Sequence, residues 1–249
     1  MIHAAESTHW YDKAGLPVYQ VEAVKGGVRP TTLRDARKLG LGPSVTGVIK
    51  CAAAPGLERW KQQQVLLSAL TLKRGIAETD DEFTKRIMQD SQEQAKKAAE
   101  RGTAIHAAIQ GWYEDVIPPQ EYLPHCEGTA KAVIGWLGER WVSERSFFHP
   151  LGFGGKVDLS CDLAVLDFKT KEFGPDDDLK TWDEHHMQLA AYREGLGDPE
   201  ARCAICYVSV NNPGLARVIE IPEDDLQRGW ECFKALFQYW KAKNRYSPC

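Results

Sequence analysis

The stretch GGKVDLSCDLAVLDFKTK, residues 154–171, decides how the chain is read. Two glycines admit a close backbone approach ahead of Asp158. Further on, VLDFKT sets Asp167 and Lys169 two residues apart, and its apolar, branched spelling is that of a strand. Side chains two apart on a strand project to one face, so Asp167 and Lys169 point together while Phe168 points to the opposite, core side. Asp158 then lies on the preceding strand, opposite this pair. Two carboxylates are hard oxygen donors suited to Mg2+ or Mn2+, and a lysine beside them can orient a water or stabilise a pentacovalent phosphate. A strand-end ion pair with a turn aspartate has the same spelling and needs no purpose. The surroundings must decide.

Outward from this stretch the texture alternates. RSFFHPLGFGGKVDLSC and LAVLDFKTK read as adjacent strands, ARCAICYVSV as a buried strand, and ARVIEI as another after the turn NNPG at 211–214. Residues 181–195 and 223–243 have helical character. Towards the N-terminus, 57–72 and 81–113 read as helices and 128–143 as one more. The second of these carries Phe83, Ile87, Ala95, Ala98, Ile105, Ile109 and Trp112 near helical spacing. The opening region, 18–49, reads as short strands and turns, with Gly26-Gly27 and Gly42-Pro43 as turn signals. No internal repeat, low-complexity tract or Pro/Gly/Ser linker divides the chain. The expectation is an α/β chain of mixed α+β type, a central mixed β-sheet flanked by helices. It is one domain over 1–249, with a strand and helix elaboration over 1–100 and a catalytic core over 101–249.

Hydrophobic residues at 43% and charged residues at 27% exclude a disordered or collagen-like chain. The longest apolar stretches, such as VLLSAL, fall far short of the ~18–20 residues of a membrane helix. The opening MIHAAESTHWYDKAG lacks the basic-then-apolar pattern of a secretion signal. A soluble, cytoplasmic protein with no membrane partner is expected. Seven cysteines make no disulfide framework. Cys203 and Cys206 form a CxxC inside a strand-like run, with no second pair at zinc-ribbon distance, so they read as structural. A net charge of −4 argues against indiscriminate nucleic-acid binding, yet the charge is unevenly spread. Residues 1–110 hold 16 Lys and Arg against 12 Asp and Glu, whereas the rest hold 15 against 23. A solvated surface carries such an asymmetry by chance, and a polyanion-binding face beside a carboxylate-rich metal site fits it equally well.

More residues fall in with the strand pair. His106, in RGTAIHAAIQGW, sits on the otherwise apolar side of its helix, where a lone histidine is more often a satisfied core residue than a ligand, and Gly102 clears the same face for a close neighbour. Gln188 and Tyr192, in HHMQLAAYREG, stack an amide and a phenol on one helical face. His185 and His186, just upstream, read as surface residues. GTAIH, GGKVD, LDFKT and QLAAY, in that order and at these intervals, resemble the PD-(D/E)XK nuclease superfamily, and more narrowly its RecB-like branch. RPTTLRDARKLGLGPSVTGVI followed by LERW resembles phage-encoded exonucleases, distantly similar to the mitochondrial genome maintenance exonuclease. The motifs run from Arg29 to Tyr192, most of the chain.

The resemblance implies a restriction-endonuclease-like core and a metal-dependent deoxyribonuclease, an exonuclease acting on linear, end-bearing DNA in recombination or repair. It gives catalytic roles to Asp158, Asp167 and Lys169, and a metal shell to His106, Asp158, Asp167 and the Phe168 backbone carbonyl. Gln188 and Tyr192 match the helix motif that lines the cleft near DNA. Ser44 and Thr46, in PSVT, are candidate phosphate contacts through hydroxyl and backbone N–H, and Glu144 is a further candidate acid. Mg2+ or Mn2+ is the implied cofactor, phage or host recombination proteins are the implied partners, and the host cytoplasm is the compartment if the chain is phage-encoded. Family members often carry an acid four residues after the histidine, where this chain has Gln110. Iron–sulfur members carry a C-terminal cysteine cluster; Cys232 and Cys249 are too widely spaced for one, so no iron–sulfur cluster is expected. Two other readings compete. A non-catalytic DNA-end or single-strand binding module would stack bases on Trp60, Trp112, Tyr113 and Tyr192, though paired acids facing a polyanion disfavour it. A structure-specific endonuclease differs in substrate rather than in chemistry.

Overall fold

The computed structural model describes residues 9–24, 26–53 and 55–248, so Cys249 lies outside the described residues. The chain opens with the short strands β1 (Trp10–Tyr11), β2 (Gln20–Glu22) and β3 (Val28–Pro30). Next come α1 (Leu33–Leu39), β4 (Gly42–Pro43) and α2 (Val45–Ile49). Three helices follow, α3 (Pro55–Thr71), α4 (Asp80–Tyr113) and α5 (Leu123–Trp136). The C-terminal half holds β5 (Val142–His149), β6 (Phe153–Cys161), β7 (Ala164–Lys171), α6 (Asp183–Leu196), β8 (Arg202–Ser209), β9 (Ala216–Glu220) and α7 (Glu223–Asn244).

The main sheet has the order β5-β6-β7-β8-β9 and is mixed. β5, β6 and β7 form an antiparallel meander, β7 and β8 run parallel from Ala164↔Arg202 to Lys171↔Ser209, and β9 returns antiparallel. A parallel pair cannot be closed by a tight turn, and α6 provides the crossover. Alternation along the strands sorts side chains onto two faces. Val165, Cys203, Ile205 and Tyr207 join one core with α6, α7 and the N-terminal residues Trp10, Val45 and Val48. Leu166, Phe168, Cys206 and Val208 join another with Ile105 and Ile109 of α4 and Cys126 and Val133 of α5. Cys203 and Cys206 therefore point to opposite faces and cannot share one metal ion. Both are fully buried.

α4 carries helix α3 at one end and the sheet at the other. Its first turn is set by a capping box between Thr79 and Glu82, with Asp80 and Asp81 facing the positive helix end. At 34 residues it extends about 50 Å. Its buried aliphatic residues are Ile105, Ala108 and Ile109, in the C-terminal half. The expected boundary at 100/101 thus falls inside a continuous helix, and the N-terminal strands pack into the same core as the C-terminal half.

Several expectations shift. The helix expected at 128–143 is α5, which begins earlier, with Pro124 in its first turn, and ends at Trp136. Val142 and Ser143 belong to β5, because the run through RSFFHPLGFGGKVDLSC is two strands joined by a turn in which Gly152 takes φ +100°. Gly26 and Gly27 do turn the chain, both at positive φ. Gly42-Pro43, expected as a turn, pairs with Trp10–Tyr11 instead. A Cβ at Gly42 would lie 2.5 Å from the Gly152 carbonyl oxygen, so this glycine permits a close approach. No helix of the described residues is long and apolar enough to cross a membrane.

Two glycines of α5 make the packing testable. A Cβ at Gly128 would lie 2.2 Å from the Gly214 backbone oxygen, whereas one at Gly135 meets nothing within 4 Å. Gly128→Ala is expected to destabilise by about 1–3 kcal/mol through overpacking, and Gly135→Ala to stabilise by about 0.5–1 kcal/mol through helix propensity. Urea unfolding of both variants checks this, and equal midpoints would contradict the close approach of α5 to the β8–β9 turn.

Candidate active site

β6 and β7 pair at Leu159↔Leu166, Ser160↔Val165 and Cys161↔Ala164, and then part. Continued by one step, the same register would set Asp158 against Asp167. Instead the Phe168 backbone N–H donates to Asp158 Oδ2 at 2.7 Å, so a carboxylate takes the place of a strand carbonyl. The other flank of Asp158 is opened too. β5 pairs with β6 at Ser143↔Leu159 and Arg145↔Val157, but the intervening Glu144 has φ +58°, a left-handed conformation unusual for glutamate. Both ladders are thus interrupted at Asp158. Strained or unpaired backbone of this kind gathers at functional sites.

Asp167 is 2% exposed. Gln188 Nε2 donates to its Oδ1 at 2.7 Å, and Lys169 Nζ lies 2.7 Å from its Oδ2. Lys169 also donates to Gln188 Oε1 at 3.1 Å, and Gln188 Nε2 reaches the Tyr192 hydroxyl at 3.0 Å. The i, i+4 pair on α6 thereby joins the strand pair on β7 in one network. Burial pushes the Asp167 carboxyl up to about 6, with repulsion from Asp158 adding to it and Lys169 opposing. Burial would also raise Asp158, but His106, Lys169 and the Phe168 N–H together hold it below its ordinary value.

His106 reaches this cluster from α4, with Nε2 3.1 Å from Asp158 Oδ2. The carboxylate raises the imidazole above its usual range, against the pull of burial. Its ring meets Phe168 edge to face at 5.7 Å, and Tyr113 stacks on the same phenyl ring. One turn earlier, a Cβ at Gly102 would lie 2.7 Å from Thr170 Oγ1, so the glycine lets α4 cross close over β7.

The remaining sequence candidates lie in various settings. Ser44 is buried; its hydroxyl caps α2 by accepting from the Gly47 N–H, and its own N–H donates to the His9 carbonyl. Thr46 Oγ1 lies 3.3 Å from Ser44 Oγ. Both groups named as phosphate contacts on Ser44 are therefore engaged within the fold, close to β6 through the Ser44–Gly154 bridge. Glu144 is ion-paired with Lys156. His186 is not a surface residue, and His185 is half-buried. His186 is buried with Nε2 2.9 Å from Thr181 Oγ1, and burial plus the charge of Lys169 drive His185 down to about 3.

Lys156 and Glu114 are not singled out in the sequence, and His185 is expected at the surface. Lys156 stands two residues before Asp158 on the same strand; burial lowers its ammonium while Asp158 and Glu114 raise it. The two-residue spacing that singled out Asp167 and Lys169 applies equally to Lys156 and Asp158. Glu114, which accepts from Gln110 at 3.0 Å, lies eight residues beyond His106. His185 shares its α6 face with Gln188, three residues on. A cavity of about 1050 Å³ lies elsewhere, lined by Trp182, His186, Met187, Leu236 and Tyr239 among others, and none of the cluster residues borders it.

In chemical kind the donors fit a hard divalent cation: two mutually repelling carboxylates, one of them deeply buried, with an imidazole beside the other. As placed, each donor is turned to a protein partner. Among the described residues no three His, Cys, Asp or Glu side chains converge on one point as a metal group. Fold and site define a mixed-sheet protein with a paired-acid and lysine cluster at a strand parting. No family model matches the chain, and no curated protein matches it. Among solved structures it is similar to the crystal structure of SSO0001, at 18% identity over 43% of this chain and a TM-score of 0.27. The match spans 55% of that chain, and a likeness so low carries no argument.

The buried charge of Asp167 has a measurable consequence. In chelator at neutral pH, Asp167→Asn is expected to stabilise the protein by about 1–3 kcal/mol, on the conversion of about 1.4 kcal/mol per pKa unit. An amide keeps the Gln188 contact, and Lys169, whose side chain is 32% exposed, can turn to water. Equilibrium urea unfolding reads the change. A midpoint below wild type would mean that the carboxylate is a structural asset.

Proposed function

We propose that the chain is a metal-dependent deoxyribonuclease of the PD-(D/E)XK type, in the RecB-like branch, degrading linear DNA from its ends. The reading rests above all on one observation: four residues from three sequence motifs, His106, Asp158, Asp167 and Lys169, meet where β6 and β7 part. Gln188 of the fourth motif ties two of them together. A strand-end ion pair without a purpose would not recruit a histidine from α4 and an amide from α6.

In this proposal Asp158, Asp167, His106 and the Phe168 carbonyl hold Mg2+ or Mn2+. Such an ion supplies Lewis acidity, making water more acidic and offsetting charge on the phosphate. Hydrolysis forms one phosphorus–oxygen bond from water and breaks the ester bond in line with it, so no protein nucleophile is needed. Lys169 orients the attacking water and stabilises the charge that builds on the phosphoryl oxygens. Gln188 fixes the direction of Lys169 and Asp167, and Tyr192 backs Gln188. The compartment in this reading is the cytoplasm, that of the host for a phage-encoded chain, and recombination proteins are the partners. Of the four rings the binding-module alternative would use, Tyr192 is 5% exposed and Tyr113 is stacked on Phe168, while Trp60 and Trp112 are half-buried.

Labelled linear DNA and covalently closed circles, incubated with Mg2+ or Mn2+ and with a chelator control, test the proposal. Wild type is expected to degrade linear DNA only when metal is present, and to spare the circles. Lys169→Ala and Asp167→Asn should slow degradation by about 10³-fold or more, the scale of losing a charge-stabilising group. Digestion by either variant at the wild-type rate would overturn the assignment, and cleavage of circles would replace the exonuclease with an endonuclease.

A further inference from the structure

The residues that follow α7 pack against α1. Arg37 donates from its guanidinium to the Asn244 carbonyl. The Tyr246 hydroxyl lies 3.0 Å from the Ala36 carbonyl oxygen and 2.8 Å from that of Leu41. These contacts join the C-terminal end of α1 to that of α7, more than 200 residues away in sequence. Arg34, Arg37 and Lys38 share one face of α1 by their i, i+3, i+4 spacing, and the junction sets them beside Lys241, Lys243 and Arg245. All are exposed except Lys241, which is half-buried.

No described carboxylate pairs with any of the six. Asp35, the acid of α1, is engaged by Arg29 and Thr32, and the last acid of α7 is Glu231, ion-paired with Lys234. Elsewhere some surface cations are paired locally, as in Lys61–Glu58, Lys97–Glu93 and Arg202–Glu220, and the unpaired ones are scattered along the chain rather than brought together by two helix ends. Basic residues also offset the negative ends of helices, and two such ends converge here. Each carries only about half an elementary charge, so the pair accounts for about one cation of six, and Lys241 and Lys243 also lie over the Phe237 and Tyr239 rings, contacts that leave their charge in place. The remainder is a concentration of positive charge on a chain whose net charge is −4.

We propose that this patch binds the phosphate backbone of nucleic acid outside the paired-acid cluster, without reading base sequence. The proposal rests on the nuclease reading. The route between the two places is short in the fold. From the Gly40 cap of α1 the chain runs through β4 to Ser44, which bridges to Gly154 of β6. Asp158 stands four residues further along that strand, about 13 Å at the usual rise. Three guanidinium and three ammonium groups suit a run of phosphates, where contacts are electrostatic and strongly dependent on salt.

Fluorescence anisotropy of labelled linear DNA, in chelator and from 50 to 200 mM salt, tests the patch apart from cleavage. Arg34→Gln/Lys38→Gln/Arg245→Gln is expected to weaken binding at least tenfold at the lowest salt. It should also reduce the slope of log affinity against log salt by about 2–3, at ~0.7–0.9 per phosphate contact removed. Lys61→Gln/Lys96→Gln/Lys97→Gln, with the same change in net charge, should leave the slope at the wild-type value. Equal slopes and affinities for the patch variant and wild type would overturn the patch while leaving the nuclease reading intact. Should wild type neither bind nor degrade DNA, both fall. Patch-dependent binding to phosphatidylserine vesicles, with DNA binding unchanged, would assign the patch to an anionic membrane surface and overturn the proposal.

Discussion

The hydrogen bond from the Phe168 N–H to Asp158 Oδ2 is the constraint around which the cluster is arranged. In an uninterrupted antiparallel ladder that N–H would face a carbonyl, and Asp158 and Asp167 would stand across from one another with both chains fully paired. The carboxylate substitutes for the missing carbonyl, so β6 and β7 can part without leaving a buried donor unsatisfied. The parting in turn leaves room for His106 and Lys169 to meet the acids. The left-handed backbone at Glu144 accomplishes the same on the β5 side, where one residue drops out of the ladder and the register resumes unchanged.

Electrostatics makes the arrangement demanding. Two carboxylates are held near one another, one of them almost wholly buried, and the cations on hand do not stabilise them equally. Asp158 has His106, Lys169 and a backbone donor and remains below its ordinary range, whereas Asp167 is left raised despite Lys169 at 2.7 Å. Buried charge of this kind lowers the stability of a fold that could be built more cheaply from apolar residues. Its presence at a strand parting, surrounded by polar groups from two other elements, is hard to attribute to packing alone.

Period-two and period-3.6 patterns carried most of the architecture. They placed Asp167 and Lys169 on one face and Phe168 on the other, and brought Gln188 and Tyr192 together on α6, because those are local relations along one element. They did not reveal where β6 and β7 part, since that depends on pairing between elements. The 128–143 stretch misled for a similar reason: LGERWVSERS is polar enough to continue a helix or to form an edge strand, and β6 decides which. His186 reads as a surface residue from its polar neighbours in sequence, but the helix turns it towards Thr181 and the body of the protein. The meeting of Arg37 with Asn244 could not have been read from either end of the chain. Net charge by halves hinted at a basic region but could not show that the C-terminal end of α7 belongs to it.

Gln188 shows how narrowly the chemistry limits the choice of side chain. Its amide donates to Asp167 and to Tyr192 while accepting from Lys169. A glutamate there would repel Asp167, a lysine would repel Lys169, and a leucine would strip the Asp167 Oδ1 of its partner at a cost of about 1–3 kcal/mol. An amide, carrying donor and acceptor on one rigid plane, meets an anion and a cation together. Both contacts require α6 to approach β7 closely, an approach that the apolar core beneath the helix also supports. The polar residues therefore do more than occupy the parting: through Gln188 they tie α6 to β7 at the cluster, beside the apolar contacts of Leu189, Ala190 and Ala191 that seat the helix on the sheet.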